Sequence, residues 1–184
     1  MRPTLDTERL ILRPFTLADA DAVTAIVSDR EIAANTLSIP HPYDRSMAEK
    51  WLATHDDACR RGESAVFALT ERESGRLVGC VGLVIDREHG RAELGYWTAR
   101  EIWGRGYGTE AAAAVVRYAF EQLDLHRVYA HHLSRNPASG SIMRKLGMRH
   151  EGTLRGHVFK WGVHEDIELY GLLRSDYERA GVRA

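Results

Sequence analysis

At 184 residues the chain is long enough to bury one sizeable core and short for two domains. Its 44% hydrophobic and 28% charged residues, with 16 Gly and 5 Pro, exclude a disordered, collagen-like or coiled-coil protein. Twenty-five Lys and Arg against 26 Asp and Glu leave a net charge of −1, which provides no global field for recruiting nucleic acid or anionic lipid. No repeat, low-complexity tract or Pro/Gly/Ser linker interrupts residues 1–184, which read as a single domain.

The opening residues set Asp6, Glu8, Arg9 and Arg13 among apolar ones, unlike the continuous apolar stretch of a secretory signal, so a cytoplasmic location is expected. From Glu8 to Pro14, Leu10 and Leu12 alternate with Arg9, Ile11 and Arg13 and predict a strand. Thr16-Leu17-Ala18-Asp19 is patterned like a capping box opening a helix that ends near Ser28. From Ser46 to about Arg61, a stripe of Ala48, Trp51, Leu52, His55 and Cys59 predicts a second helix, which Gly62 stops. Three strands follow, Ser64 to Thr70, Leu77 to Ile85 and Arg91 to Thr98, and the short turns between them imply antiparallel neighbours. The longest apolar run, Leu77 to Ile85, has nine residues where a helical bilayer span needs about 20, so no membrane crossing is expected. Thr109 to Leu123 carries Ala112, Val115, Val116, Ala119, Phe120 and Leu123 at helical spacing. Arg127 to Leu133 reads as a strand, and Asn136-Pro137 opens a helix that runs to Leu146, with Gly147 just beyond. Strands around Met148 to Leu154 and Ile167 to Leu173 leave a polar connection from Arg155 to Asp166. The sum is a mixed α/β sheet with helices on its faces. Cys59 and Cys80 have neither metal-site spacing nor a disulfide framework and read as core thiols.

Between the strand ending at Thr98 and the helix from Thr109 lie Gly104, Gly106 and Gly108 at alternate positions. Glycines let a backbone approach a ligand closely, and the helix behind them offers unpaired N–H groups and a positive dipole end, which together suit an anion. A Walker loop would need a Lys that is absent, and a dinucleotide fingerprint would need Gly where Thr109 stands. The plain alternative is a tight strand-to-helix turn, for which one glycine would suffice. His131 and His132 are neighbours on a strand and face opposite sides of it, so they cannot share an ion, and no metal site is expected.

Gly95-Tyr96-Trp97, the run Trp103-Gly104-Arg105-Gly106-Tyr107-Gly108-Thr109-Glu110-Ala111, Asn136-Pro137-Ala138-Ser139 and Lys145-Leu146-Gly147-Met148, in this order, resemble the GNAT N-acetyltransferases. They are most similar to the RimJ/RimL branch, which acetylates ribosomal-protein N-termini. Thr7-Glu8-Arg9-Leu10, Pro40-His41-Pro42-Tyr43 and Glu151-Gly152-Thr153-Leu154-Arg155 extend the resemblance over nearly the whole chain. It implies the GNAT fold, an α/β arrangement of a mixed, mostly antiparallel central sheet splayed at its middle and flanked by helices on both faces. Acetyl-CoA would then lie in the gap between the fourth and fifth strands. Its diphosphate would sit on the backbone N–H groups of Gly104, Arg105, Gly106, Tyr107, Gly108 and Thr109. Its pantetheine arm would pair with the backbone near Trp97 and Thr98, and Asn136 would bond the arm from the other side. Trp103 is a departure, standing where the superfamily loop often begins with Gln or Arg.

The implied activity is transfer of an acetyl group from acetyl-CoA to a primary amine, directly within a ternary complex, since neither Cys is expected in the site. The branch points to a protein N-terminal α-amine, such as that of a ribosomal protein. A small-molecule amine (a polyamine, amino acid or antibiotic) and a non-catalytic acyl-CoA-binding module are the alternatives, and a homodimer is compatible with each.

Such a transfer needs a neutral amine, a polarised thioester carbonyl and a proton for the leaving thiolate. At pH 7 about one α-amine in seven is neutral, against about one lysine in 2500. Glu93, on the strand that would border the thioester, is the candidate base; a cross-strand ion pair is its plain alternative. Where many relatives place a Tyr as acid, four residues before the Gly after the last helix, this chain has Met143. Ser139, three residues after the Asn as in the RimJ/RimL branch, is the candidate proton donor, or merely a residue of the first helical turn. Asn136 can cap that helix through its carbonyl oxygen while its NH2 donates to a ligand. Asn35, His41, Tyr43 and Asp166 fall in segments that the implied fold brings near the acceptor cleft.

Overall fold

The protein is described by a computed structural model covering residues 3–179. Its strands are β1 (Leu5–Asp6), β2 (Leu10–Pro14), β3 (Ser64–Glu71), β4 (Leu77–Asp86), β5 (Arg91–Thr98), β6 (Arg127–Leu133), β7 (Arg149–Lys160) and β8 (Val163–Leu173). They form one sheet in the order β1-β2-β3-β4-β5-β6-β8-β7. Every pairing is antiparallel except β5 with β6, which are parallel and joined by the crossover helix α5 (Tyr107–Glu121). That parallel pairing spans only Arg91↔Arg127, Ala92↔Val128 and Glu93↔Tyr129. Beyond Glu93 the two strands part: β5 stays with β4 and β6 with β8, so the edge of β5 from Leu94 to Thr98 that faces β6 has no strand partner. The sheet is splayed at its middle.

Each face is covered. Alternation puts Leu10, Leu12, Phe67, Leu69, Val81 and Leu83 on one side, where Ala112, Val115 and Ala119 of α5 seal them from water. On the other side α1 (Ala20–Val27), α3 (Arg45–Ala53) and α4 (His55–Arg60) pack Phe15, Val23, Val27, Ala48 and Leu52 against Ala68, Cys80 and Trp97. Between them α2 (Arg30–Asn35) begins at Asp29, whose carboxylate accepts from the Glu31 N–H at 2.8 Å. The remaining helices are α6 (Pro137–Lys145) and α7 (Arg174–Arg179). No helix of the described residues is long and apolar enough to cross a membrane.

Three expectations change. The helix predicted over Ser46 to Arg61 divides into α3 and α4 at Thr54, whose hydroxyl donates to the Trp51 carbonyl at 2.7 Å and competes with the regular helical pattern. The crossover helix starts at Tyr107, two residues before Thr109. The polar connection from Arg155 to Asp166 is not a loop: β7 runs on to Lys160 and β8 begins at Val163. Trp161 and Gly162, at φ 51° and 86°, form the two-residue turn between them, and positive φ at both positions is what a type I′ hairpin turn requires.

Candidate active site

β5 delivers the chain through Ala99 and a 3-10 turn, Arg100–Ile102, into the glycine segment. Gly106 takes a left-handed φ of 83° as the residue capping α5, and the first turn of that helix therefore points its N–H groups outward. Arg105 N–H is used by the Ile102 carbonyl at 3.3 Å. Among the described residues, the N–H groups of Gly104, Gly106, Tyr107, Gly108 and Thr109 have no acceptor. Backbone donors clustered at the positive end of a 15-residue helix form a concave cradle of a kind that suits an anion.

Residues a hundred positions earlier hold this cradle in place. Glu110 accepts from Thr7 Oγ1 at 2.6 Å, from the Arg9 backbone N–H at 2.8 Å and from Arg9 Nε at 2.7 Å. Arg9 also donates from Nη1 to the Arg105 carbonyl at 2.9 Å and lies over the Tyr107 ring at 4.5 Å. Burial works against the charge of Glu110, but the donors Thr7 and Arg9 outweigh it and hold the carboxyl below its ordinary range.

Two cavities meet beside the splayed strands. One, of about 360 Å³, runs along the unpaired end of β5 past Thr98, Trp103, Gly104, Gly108 and Asn136, with the exposed Lys145 on its wall. The other, of about 410 Å³, lies under α1, α3 and the segment after α2. Asn35, Thr36, Tyr96, Trp97 and Ser139 line both, so the junction sits between β5 and the first turn of α6. At that junction the Tyr96 hydroxyl is 2.8 Å from Ser139 Oγ and donates to the Ser139 carbonyl at 3.1 Å. Burial pushes the Tyr96 phenol up to about 12, the contact with Ser139 pulling only weakly the other way, so it keeps its proton. Asn136 Oδ1 accepts the Ser139 N–H at 3.4 Å as the cap of α6, and its Nδ2 has no acceptor among the described residues.

Glu93 lines the second cavity. Its Oε1 is 3.4 Å from His131 Nδ1 and its Oε2 accepts from Tyr129 Oη at 3.4 Å. Among the described residues no arginine pairs with it: Arg91, on its own strand, pairs with Asp86, and Arg127 on β6 with Glu151. Burial, then the nearby Glu93 charge, raises the Tyr129 phenol. His132, the next residue of β6, also lines this cavity and is buried with Nδ1 at 2.9 Å from the Leu133 carbonyl and its ring stacked on Tyr170. Among the described residues no group of three or more His, Cys, Asp or Glu is gathered to hold a metal.

Of the residues singled out in the sequence, Asn35 and Tyr43 line the second cavity, and Trp97, Thr98, Gly104, Gly106, Gly108, Thr109 and Asn136 the first. Arg105 and Tyr107 line neither cavity with their side chains; Tyr107 is buried beneath Arg9. His41 and Asp166 lie outside both: His41 is exposed with its ring 6.0 Å from that of Trp161, and Asp166 accepts the Gly156 N–H at 2.6 Å in the β7–β8 ribbon. Cys80, expected away from the site, lines the second cavity, because β4 carries it onto the face covered by α1. Burial pushes its thiol well above the ordinary range, which leaves it a poor nucleophile. Tyr96 stands in the Gly95-Tyr96-Trp97 string without an expected role; the alternation along β5 that sets Leu94, Tyr96 and Thr98 opposite Glu93 and Trp97 is the signal that could have given it one.

Residues 9–149 match the acetyltransferase (GNAT) domain family. The chain is 33% identical over 175 residues to the uncharacterized N-acetyltransferase p20 of Bacillus licheniformis, which takes in 95% of this chain and 98% of that protein. It is 35% identical over 105 residues, 56% of this chain and 57% of the other, to YdaF of Bacillus subtilis (strain 168), named provisionally as a ribosomal N-acetyltransferase. The RimL ribosomal L7/L12 alpha-N-protein acetyltransferase, solved in complex with coenzyme A, shares the fold at a TM-score of 0.86 and 16% identity, covering 93% of this chain and 98% of that one.

Proposed function

The chain belongs to the GNAT acetyltransferase family and is an acetyl-CoA-dependent N-acetyltransferase; from that premise we propose that its acceptor is an α-amine and that Glu93, Ser139 and Tyr96 manage the protons. The observation that carries this reading is the meeting of the two cavities at Tyr96 and Ser139, with Glu93 as the one carboxylate among the residues lining the second.

The first cavity suits the coenzyme. The free N–H groups of Gly104, Gly106, Tyr107, Gly108 and Thr109 grip its diphosphate, and the unpaired edge of β5 at Trp97 and Thr98 takes the amides of its pantetheine arm. Asn136 donates to that arm from Nδ2 while Oδ1 keeps the helix cap. This leads the thioester to the junction, and the second cavity takes the acceptor.

In the transfer, the amine nitrogen bonds to the thioester carbonyl carbon as the C–S bond breaks. Glu93, its carboxylate free of any arginine, accepts the proton that the nitrogen loses, directly or through a water. Ser139 gives a proton to the departing thiolate and recovers one from the Tyr96 hydroxyl 2.8 Å away, which turns to it from the Ser139 carbonyl; water in the cavities returns a proton to Tyr96 and takes one from Glu93, which closes the cycle. The product is an acetamide and a free thiol, with no acetyl-enzyme; a Cys80 thiol held protonated by burial agrees with that. A single modest base suits an α-amine, which is already partly neutral at pH 7, better than a lysine side chain.

Free-thiol release from acetyl-CoA, measured with peptides bearing α-amines beside polyamines and aminoglycosides, tests the acceptor class. Turnover confined to the multiply charged amines overturns it. Ser139→Ala, Tyr96→Phe and Glu93→Gln are each expected to lower kcat by roughly 10²- to 10⁴-fold with coenzyme Kd unchanged. Parental kcat in all three removes these residues from the chemistry.

A further inference from the structure

We propose that the acceptor cavity selects a monoamine that carries a large apolar or aromatic group beside the reacting nitrogen; for a peptide, a first residue such as Leu or Phe in place of Ala or Ser. The inference rests on the α-amine reading above and adds what the first side chain must be.

The two walls of the cavity are chemically unlike. On the β5–β6 side stand Glu93 and His131, and the junction with the coenzyme cavity is there. The opposite wall is apolar: Met47 and Trp51 of α3 present its surface, and Val23 and Val27 of α1, 1% and 2% exposed, back it from behind. Trp51 is held edge-on to Phe15 at 5.2 Å and to His55 at 4.4 Å, and its ring lies 6.3 Å from that of Trp97. A ring fixed on three sides is a rigid wall that loses little freedom when a ligand packs on it. Leu37, Ser38 and Pro40, all exposed, form the rim through which the rest of a substrate would leave.

Charge restricts the occupant further. Glu93 is the only carboxylate on the lining, so one ammonium can be matched and a second cannot. The remote ammonium groups of a polyamine or aminoglycoside would be driven against Met47 and Trp51 with no counter-charge, which is costly away from water. An Ala or Ser side chain leaves the apolar wall wet within about 410 Å³ of space, whereas an aliphatic or aromatic side chain replaces that water. Each added methylene in a pocket of this kind typically brings 10-fold or more in discrimination.

The test is thiol release with a peptide series differing only at the first residue, Ala, Ser, Leu or Phe, together with phenethylamine and spermidine. The expected result is a kcat/KM for Leu and Phe at least 10-fold above that for Ala and Ser. Met47→Asp, at a half-exposed helical position that tolerates change, should bring that ratio towards one while coenzyme Kd, read by calorimetry, reports an intact fold. Ala or Ser preferred, or a ratio unmoved by Met47→Asp, overturns the inference and leaves the α-amine reading standing. Phenethylamine turned over with every peptide inert supports the apolar subsite and overturns the α-amine reading. Spermidine as the best substrate overturns both.

Discussion

Gly106→Ala isolates the backbone geometry on which the proposed coenzyme cradle depends. Gly106 sits at φ 83°, and a left-handed conformation costs a residue with a Cβ about 1–2 kcal/mol. The added methyl would lie 3.3 Å from Arg9 Nη2, the far end of a flexible side chain that can give by a few tenths of an ångström, so strain dominates over contact. In a domain of this size about 1 kcal/mol lowers Tm by roughly 2–4 °C, so a fall of about 2–8 °C is expected. If the loop relieves the strain by moving, binding must restore it, and the same 1–2 kcal/mol weakens coenzyme affinity by roughly 5- to 30-fold. Gly75→Ala is the matched control. Gly75 has φ 67°, nothing within 4 Å of an added Cβ, and a place in the exposed β3–β4 turn outside both cavities. Calorimetric Kd and thermal denaturation should show a loss of Tm alone in Gly75→Ala, and in Gly106→Ala an affinity loss that grows as the loss of Tm shrinks. Parental Kd in Gly106→Ala alongside a parental Tm, the mark of a bend that has relaxed with no consequence for binding, would refute the idea that this bend presents donors to a diphosphate.

Arg9→Ala removes two side-chain hydrogen bonds and a ring contact from the same loop, while the residue 9 backbone N–H and Thr7 still serve Glu110. Because Arg9 is 40% exposed, solvent screening limits the stability loss to about 0.5–2 kcal/mol; coenzyme Kd should rise several-fold and the acceptor KM should not move, and an unaltered Kd contradicts the stapling role. Glu168 offers a pH test: hydrogen bonds from Ser134, Thr153 and His150 hold its carboxyl down to about 2. A depressed carboxylate contributes stability that is complete above its ordinary value near 4.5 and is lost as pH falls towards 2. Denaturant midpoints should therefore fall more steeply over that window in the parent than in Glu168→Gln, and parallel profiles contradict the assignment.

Periodicity was most informative wherever one face of an element is dry. Leu10 and Leu12, both fully buried, alternate as a strand must, and Ala112, Val115 and Ala119 trace one stripe of α5. Asn136, Pro137 and Gly147 marked both ends of α6 by cap chemistry alone. The distal part of the β7–β8 ribbon, from Arg155 to Asp166, gave no such signal because successive residues such as Arg155, Gly156 and His157 all meet water, and its turn uses Trp161 where an Asn-Gly pair would have announced a hairpin. Helix α2 is six residues long, too short for a stripe, and only the cap Asp29 betrays it. In the site, the glycine loop was visible as composition, but the Tyr96–Ser139 contact depends on how α6 settles over β5 across 43 residues. The same is true of Arg9 and Glu110, 101 positions apart, whose meeting is a product of tertiary packing and leaves no local trace.

The eight-stranded sheet ends in two open borders, and neither invites extension by another polypeptide. On one side β1 is only two residues long. On the other, register breaks after His150 and after Leu154 chop β7 into stretches of three or fewer matched residues, and each break twists the ribbon out of line. A partner chain seeking to add itself there would find no straight template, so self-association into fibrils by edge growth is disfavoured at both ends without any need for an additional protective domain.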